Sequence, residues 1–289
     1  MCKFSKDKFN LLFNKDACWK QTNGLANKIK KIRLDGHAIF EEYKFLKQCA
    51  PKRWSRKKHY FVESHDGNLT KPDDNSNRFE EKLAIAIYNK HISWPRPKGG
   101  IFSILDYQFP LKASRFDHGI GKIDLLGVTD RGRLTVIELK VKKDGSRRDS
   151  PLAAIIQGLR YAAIVEANQT HIAVEAKDRF GAIVTEKPPI IQILAPRAWW
   201  SEWCGLKGST RKVAGVWEAE FLMLVNEIDD RLDIVIECIA FDDLHPKDIK
   251  TGPKNVRPEI DLDLKIYPVF PEKEEPIGPA LELSTPNMG

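Results

Sequence analysis

The sequence predicts a mixed fold, α/β or α+β. Three observations carry that expectation. Two oily runs rich in Val, Ile and Leu, "KIDLLGV" and "RLTVIELKV", are separated only by "TDRG". Segments with apolar residues at helical spacing stand on both sides of them. The two kinds of segment mix along the whole chain without an internal repeat, which gives the class as α/β or α+β.

Taken in order, "GHAIFEEYKFLKQC" spaces Ile39, Tyr43 and Leu46 for a short amphipathic helix. "PKRWSRKKHYFVE" is basic first and strand-like afterwards, and "SHDGNLTKPDDNSN" has the Asp, Asn, Gly and Pro of turns and linkers. "RFEEKLAIAIYNK" places Phe79, Leu83 and Ile87 on one helical stripe. A break at "SWPRPKGG" precedes "IFSILDYQFPL", one strand or two. The brevity of "TDRG" makes the next two strands an antiparallel hairpin, since parallel neighbours need a long crossover. The basic loop "KKDGSRRDS" then enters a helix, "PLAAIIQGLRYAAIVEAN", with Ser150 as its cap and Pro151 in its first turn. "HIAVEA" and "IIQILAP" read as strands. A helix from about Arg211 to Asp230 turns Val213, Val216, Trp217, Phe221, Leu224, Val225 and Ile228 inward. "RLDIVIECIAF" is a strand, and "IDLDLKIYPVF" is another that Pro268 ends. This reading divides the chain into a basic amino-terminal region, 1–75, of unassigned fold, a core, 76–245, and a carboxyl-terminal strand with a Pro-rich acidic tail, 246–289, packed on that core.

Composition removes several classes of function. Apolar residues make up 42% and charged residues 30%, which excludes a largely disordered chain. The formal charge of +7 suits a polyanionic partner. Five cysteines, an odd number without a CxxC pair, give no disulfide framework and read as reduced thiols of a cytoplasmic protein. The opening residues lack the apolar region of a secretory signal, and no run of 18 apolar residues predicts a membrane span. The seven histidines show no zinc spacing, and no Walker motif provides for a nucleotide cofactor.

Charges inside the two strand runs point to chemistry. Side chains in a strand alternate faces, so Leu134, Val136, Glu138 and Lys140 share one face. If the strands pair, Asp124 approaches Glu138. Carboxylates in strand cores are costly to desolvate and repel one another, and a divalent cation removes both objections. Lys140 adds a point charge suited to a phosphate or an activated water. A solvated Glu-Lys pair at a sheet edge is the ordinary alternative. The helix at "RFEEKLAIAIY" offers a third carboxylate: Glu80 is favoured by its place near the Leu83–Ile87 stripe, Glu81 is its rival, and a capping box with Asn77 is the local alternative for Glu80. Gln157 and Tyr161 share a helix face. Gln157 either supports the site, through a water, Lys140 or a phosphate, or bonds to a nearby loop, and Tyr161 packs.

The order Glu80, Asp124, Glu138-Leu139-Lys140, Gln157-Gly-Leu-Arg-Tyr161 resembles the PD-(D/E)xK nuclease superfamily of restriction-endonuclease-like fold, in its RecB-like QxxxY form. The resemblance covers about 78 to 167 and, loosely, continues to 239; Ile123 stands where the family's name has Pro. It implies a central mixed sheet flanked by helices and Mg2+-dependent hydrolysis of phosphodiester bonds in DNA, with Mn2+ able to substitute. Glu80, Asp124 and Glu138 would hold the metal, with the Leu139 carbonyl as a further ligand, Lys140 would act on the water and phosphate, and Gln157 would support them. Restriction, defence and repair are all compatible, as is a homodimer for cutting two strands. The alternative is a catalytically inactive nucleic-acid-binding or assembly module. Two basic runs suit a phosphate backbone, with a plain solvated face as the ordinary alternative for each: Lys142, Lys143, Arg147 and Arg148 after the motif strand, and Arg53, Arg56 and Lys57 with Trp54 beside them.

Overall fold

The computed structural model describes residues 4–13, 22–35, 38–68, 79–142, 149–204, 206–207, 210–211, 217–244, 248–251, 257–260, 265–270 and 281–282. Both expected boundaries, near 75 and near 245, lie outside these residues, as does the Pro-rich tail apart from 281–282.

Two amino-terminal helices, α1 (Thr22–Leu34) and α2 (Ala38–Cys49), precede α3 (Phe79–Asn89). Four antiparallel strands follow, β1 (Ile92–Pro95), β2 (Ile101–Pro110), β3 (Lys122–Thr129) and β4 (Leu134–Leu139). Helices α4 (Pro151–Ala167) and α5 (Gln169–Phe180) carry the chain across to β5 (Ile190–Pro196). Then come α6 (Arg197–Cys204), the short pair β6 (Leu206–Lys207) and β7 (Thr210–Arg211), and α7 (Glu218–Leu232). The remaining described elements are strands: β8 (Ile236–Phe241), β9 (Ile249–Thr251), β10 (Pro258–Ile260), β11 (Ile266–Pro268) and β12 (Leu281–Glu282).

Among the described residues, the main sheet has eight strands in the order β11-β8-β5-β4-β3-β2-β1-β12. Strands β4, β5 and β8 run parallel, and the remaining pairings are antiparallel. The fold is therefore α/β, a central mixed sheet flanked by helices. The hairpin expected at "TDRG" is β3–β4, and the helical crossover between β4 and β5 is what a parallel neighbour requires. One face of the sheet packs under α1, α2, α4, α5, α6 and α7, and the other under α3 with β9 and β10. Strands β4, β5 and β8 are buried along their whole length, so they read as continuous oily runs.

Four expectations need correction. "HIAVEA" lies in α5: Ile172 and Ala176, one helical turn apart, are buried, and Gly181 ends the helix in the left-handed region at φ 65°. The apolar run is short enough to fit either period. The helix assigned from Arg211 begins at Glu218, with Phe221, Leu224 and Ile228 buried; Arg211 belongs to β7, and Val213 and Val216 lie outside the described residues. "YFVE" is no strand, because the amide groups of Tyr60 and Phe61 donate to the Glu175 carboxylate, at 2.7 and 3.1 Å, instead of to a ladder. "SWPRPKGG" is not only a break, since Ile92–Pro95 pairs with β2 before the turn. Among the described residues, no helix is long and apolar enough to cross a membrane.

Candidate active site

The antiparallel register runs as far as Leu125 with Ile137, and Asp124 and Glu138 are the next residue on each strand. This is the junction where the antiparallel half of the sheet meets the parallel half, at the carboxyl end of β4. Leu126, Leu134 and Val136 belong to the apolar cluster under α4, and Leu125, Ile137 and Leu139 to the one under α3. By alternation Asp124, Glu138 and Lys140 face α4. All three are buried.

Asp124 accepts the Leu139 amide on Oδ2 at 3.0 Å and the Gln108 amide on Oδ1 at 3.4 Å. The N–H and C=O of one strand residue point the same way, so the Leu139 carbonyl also projects towards β3. Lys140 Nζ donates to Glu138 Oε1 at 2.7 Å and lies 3.5 Å from Asp149 Oδ2. The second oxygen, Glu138 Oε2, is buried without a hydrogen-bond partner.

Burial raises the Glu138 carboxyl to about 7; Lys140 opposes the shift and Glu80 adds to it. Asp124 is raised by burial, then by Glu138 and Glu80. For Lys140, burial pulls downward, but Glu138, Glu80, Asp124 and Asp149 together outweigh it and hold the ammonium above its ordinary range. Lys140 is thus a fixed cation. Glu80, in the first turn of α3, acts electrostatically on all three members of the group. Glu80 is thus a helical carboxylate whose charge reaches the site. Asn77, its capping alternative, lies outside the described residues.

Helix α4 closes the site from above. Ser150 caps it, with its Oγ accepting the Ala153 amide at 3.2 Å, and Pro151 is its first residue. Gln157 donates to the Tyr161 hydroxyl at 3.4 Å, so its recorded bond supports Tyr161 and not Lys140. Tyr161 is buried, and a Cβ at Gly121 would stand 2.4 Å from its hydroxyl. A side chain at 121 would thus have to displace the Tyr161 hydroxyl, where α4 closely approaches the start of β3. Helix and sheet also meet closely at Gly158, where a Cβ would lie 2.5 Å from Ile191 Cγ2.

Comparison with family models, with characterised proteins and with solved structures returns no match. The site therefore stands on its own geometry.

Two side chains escaped the sequence reading. Arg160 donates to the Leu12 carbonyl at 2.6 Å and to the Gly119 carbonyl at 3.3 Å, its guanidinium lies 4.7 Å from the Phe13 ring centre, and its charge acts on Glu138. The signal was present in "IIQGLRYAAIV", where one arginine interrupts an apolar helix. Gln108 adopts φ 45°, beside an irregularity in the β2–β3 register between Ile104 and Asp106. Nothing in "LDYQFP" announces that bulge.

The proposed nucleic-acid contacts divide. Arg53 spends its guanidinium on the carbonyls of His59 and Lys112. Arg56 and Lys57 are exposed on a short 3-10 turn, and Trp54 stacks on His171 with ring centres 4.4 Å apart. Lys142 is exposed and lies 3.8 Å from Glu202. Lys143, Arg147 and Arg148 lie outside the described residues.

Among the described residues, no group of three His, Cys, Asp or Glu side chains is already gathered to hold a metal ion. The donor set still fits one. Two buried carboxylates lie on adjacent strands near enough for Glu138 to act on Asp124, and one Glu138 oxygen has no partner. Mg2+ keeps several waters and takes only one or two protein carboxylates beside substrate oxygens, so it does not require three.

Proposed function

We propose that this chain is a metal-dependent nuclease that hydrolyses phosphodiester bonds in DNA, on the restriction-endonuclease-like plan its sequence resembles. The observation that carries the reading is the buried, unpartnered Glu138 Oε2 beside Asp124 and Lys140. A carboxylate oxygen left bare in the interior costs about 1–3 kcal/mol or more, a cost that a cation offsets.

Asp124, Glu138 and the Leu139 carbonyl would hold Mg2+, with Glu80 reaching in from α3. When bound, the ion would supply Lewis acidity and a water more acidic than bulk water. The chain's own groups do the rest. The Leu139 and Gln108 amides fix the Asp124 carboxylate. Lys140, held protonated by its acidic neighbours, places positive charge where the phosphate gains negative charge. Arg160 and Tyr161 brace the loop that enters β3. Arg56, Lys57, Lys142 and the basic residues that follow it would lie along the phosphate backbone.

One observation favours the second reading, a nucleic-acid-binding module without catalysis: Lys140 already neutralises Glu138 at 2.7 Å. Incubation of the protein with labelled linear, nicked, flap and circular DNA separates the two. The nuclease reading requires cleavage in Mg2+ or Mn2+, none in EDTA, and none by Glu138→Ala. Binding without cleavage in any cation supports the module.

A further inference from the structure

The loop 111–121, between β2 and β3, is braced at every point except its tip. Leu111, Ala113 and Ile120 are buried. Arg53 donates to the Lys112 carbonyl at 2.7 Å and Lys58 to the Ala113 carbonyl at 2.9 Å. Asp117 Oδ2 accepts the amides of Ala113 and Ser114, at 2.9 and 2.7 Å, and Ser114 Oγ accepts that of Phe116 at 3.2 Å. At the far end Arg160 holds the Gly119 carbonyl, and the Tyr161 hydroxyl packs on Gly121. Three cations, Arg53, Lys58 and Arg160, therefore serve to fix this loop.

What the loop displays is Phe116, 67% exposed, with the Arg115 guanidinium 5.0 Å from its ring centre. A lone exposed phenylalanine is ordinary. A phenylalanine held out by a self-capped turn, in a loop braced by other segments, is pre-organised for contact. Its exposed neighbours Lys112, Arg115 and Lys122 are cationic, and the loop's acid, Asp117, is spent on backbone amides. A flat apolar ring among cations suits a ligand that is planar and anionic at once.

We propose that Phe116 and Arg115 take an unpaired nucleobase of the substrate, Phe116 by stacking and Arg115 through the adjoining phosphate, so that the protein prefers DNA with frayed or single-stranded ends. This rests on the nuclease reading above and names the substrate class for that site. Base–aromatic stacking contributes about 1–3 kcal/mol per base, which fixes the size of the effect.

The test is equilibrium binding in EDTA, where no strand is cut, of a blunt duplex and of one with a short overhang carrying 2-aminopurine. Phe116→Ala loses about tenfold in affinity for the overhang while the blunt duplex changes little. Phe116→Trp keeps the preference, and wild type and Phe116→Trp quench the 2-aminopurine where Phe116→Ala does not. Thermal melts show all three equally folded. The inference is overturned if Phe116→Ala binds and quenches like wild type; metal-dependent cutting then leaves the nuclease reading standing. Wild type that neither binds nor cuts DNA overturns both. Self-association that Phe116→Ala abolishes makes a second copy the partner and also overturns the inference.

Discussion

Glu138 and Lys140 are two residues apart on one strand face, and burial decides what each can do. The amine is surrounded by Glu138, Glu80, Asp124 and Asp149, so it stays charged. Removing it leaves buried acids uncompensated. Lys140→Ala is expected to abolish cleavage and to cost about 3 kcal/mol of stability at pH 8, less at pH 6 where Glu138 takes up a proton. Urea unfolding at the two pH values measures this, and the double variant Glu138→Gln/Lys140→Met recovers stability but not activity. The acids set a second expectation. Glu138 rises from 4.5 to about 7, and Asp124 and Asp106 also rise, each chiefly by burial. The native state therefore holds protons that the unfolded chain has released. Stability of the metal-free protein falls as pH climbs through that window, while Lys140 stays charged throughout. In EDTA the melting temperature is expected to be on the order of 5 °C lower at pH 8 than at pH 5.5, with added Mg2+ restoring more at pH 8. A higher melting temperature at pH 8 would contradict the burial argument.

The elements place these residues by close approach. Helix α4 reaches the sheet at Gly158 and the start of β3 at Gly121. Gly121→Ala drives a methyl group into the Tyr161 hydroxyl, three residues before Asp124. It is expected to cost about 1–3 kcal/mol and to lower cleavage, and Tyr161→Phe in the same chain recovers much of the stability. Thermal melts of the four proteins close that cycle, and additive losses would show that the two positions do not touch. At this scale the sequence was legible where a local signal agreed with the tertiary one. The hairpin, the Ser150-Pro151 start of α4 and the Leu83–Ile87 stripe of α3 all carry such signals. Asp124 and Glu138 were legible because charge inside an oily strand is rare. It was opaque where contact decided. Residues 60–61 take their amide partner from Glu175, far along the chain, and α5 presents too little apolar face to reveal its period.

Across the whole molecule, the amino-terminal region is part of the same packing as the site. Phe9, Leu12, Leu25, Ile39 and Tyr60 share an apolar cluster with α4 and β5. The Glu42 carboxylate gathers the amides of Asn10, Leu11 and Leu12, and the adjoining carbonyl meets Arg160. Denaturant unfolding is expected to show one transition, coincident by tryptophan fluorescence and by circular dichroism. Two separated transitions would show that the amino-terminal region folds apart from the sheet. Sequence reading could not anticipate this union, because the region's apolar residues carry no mark of their distant partners. The most direct test of the whole account is titration calorimetry of the wild-type protein with Mn2+, beside Asp124→Asn and Glu138→Gln at pH 8. The account predicts a saturable site in the wild type that both variants lose; equal binding by all three proteins, or none by any, would contradict it.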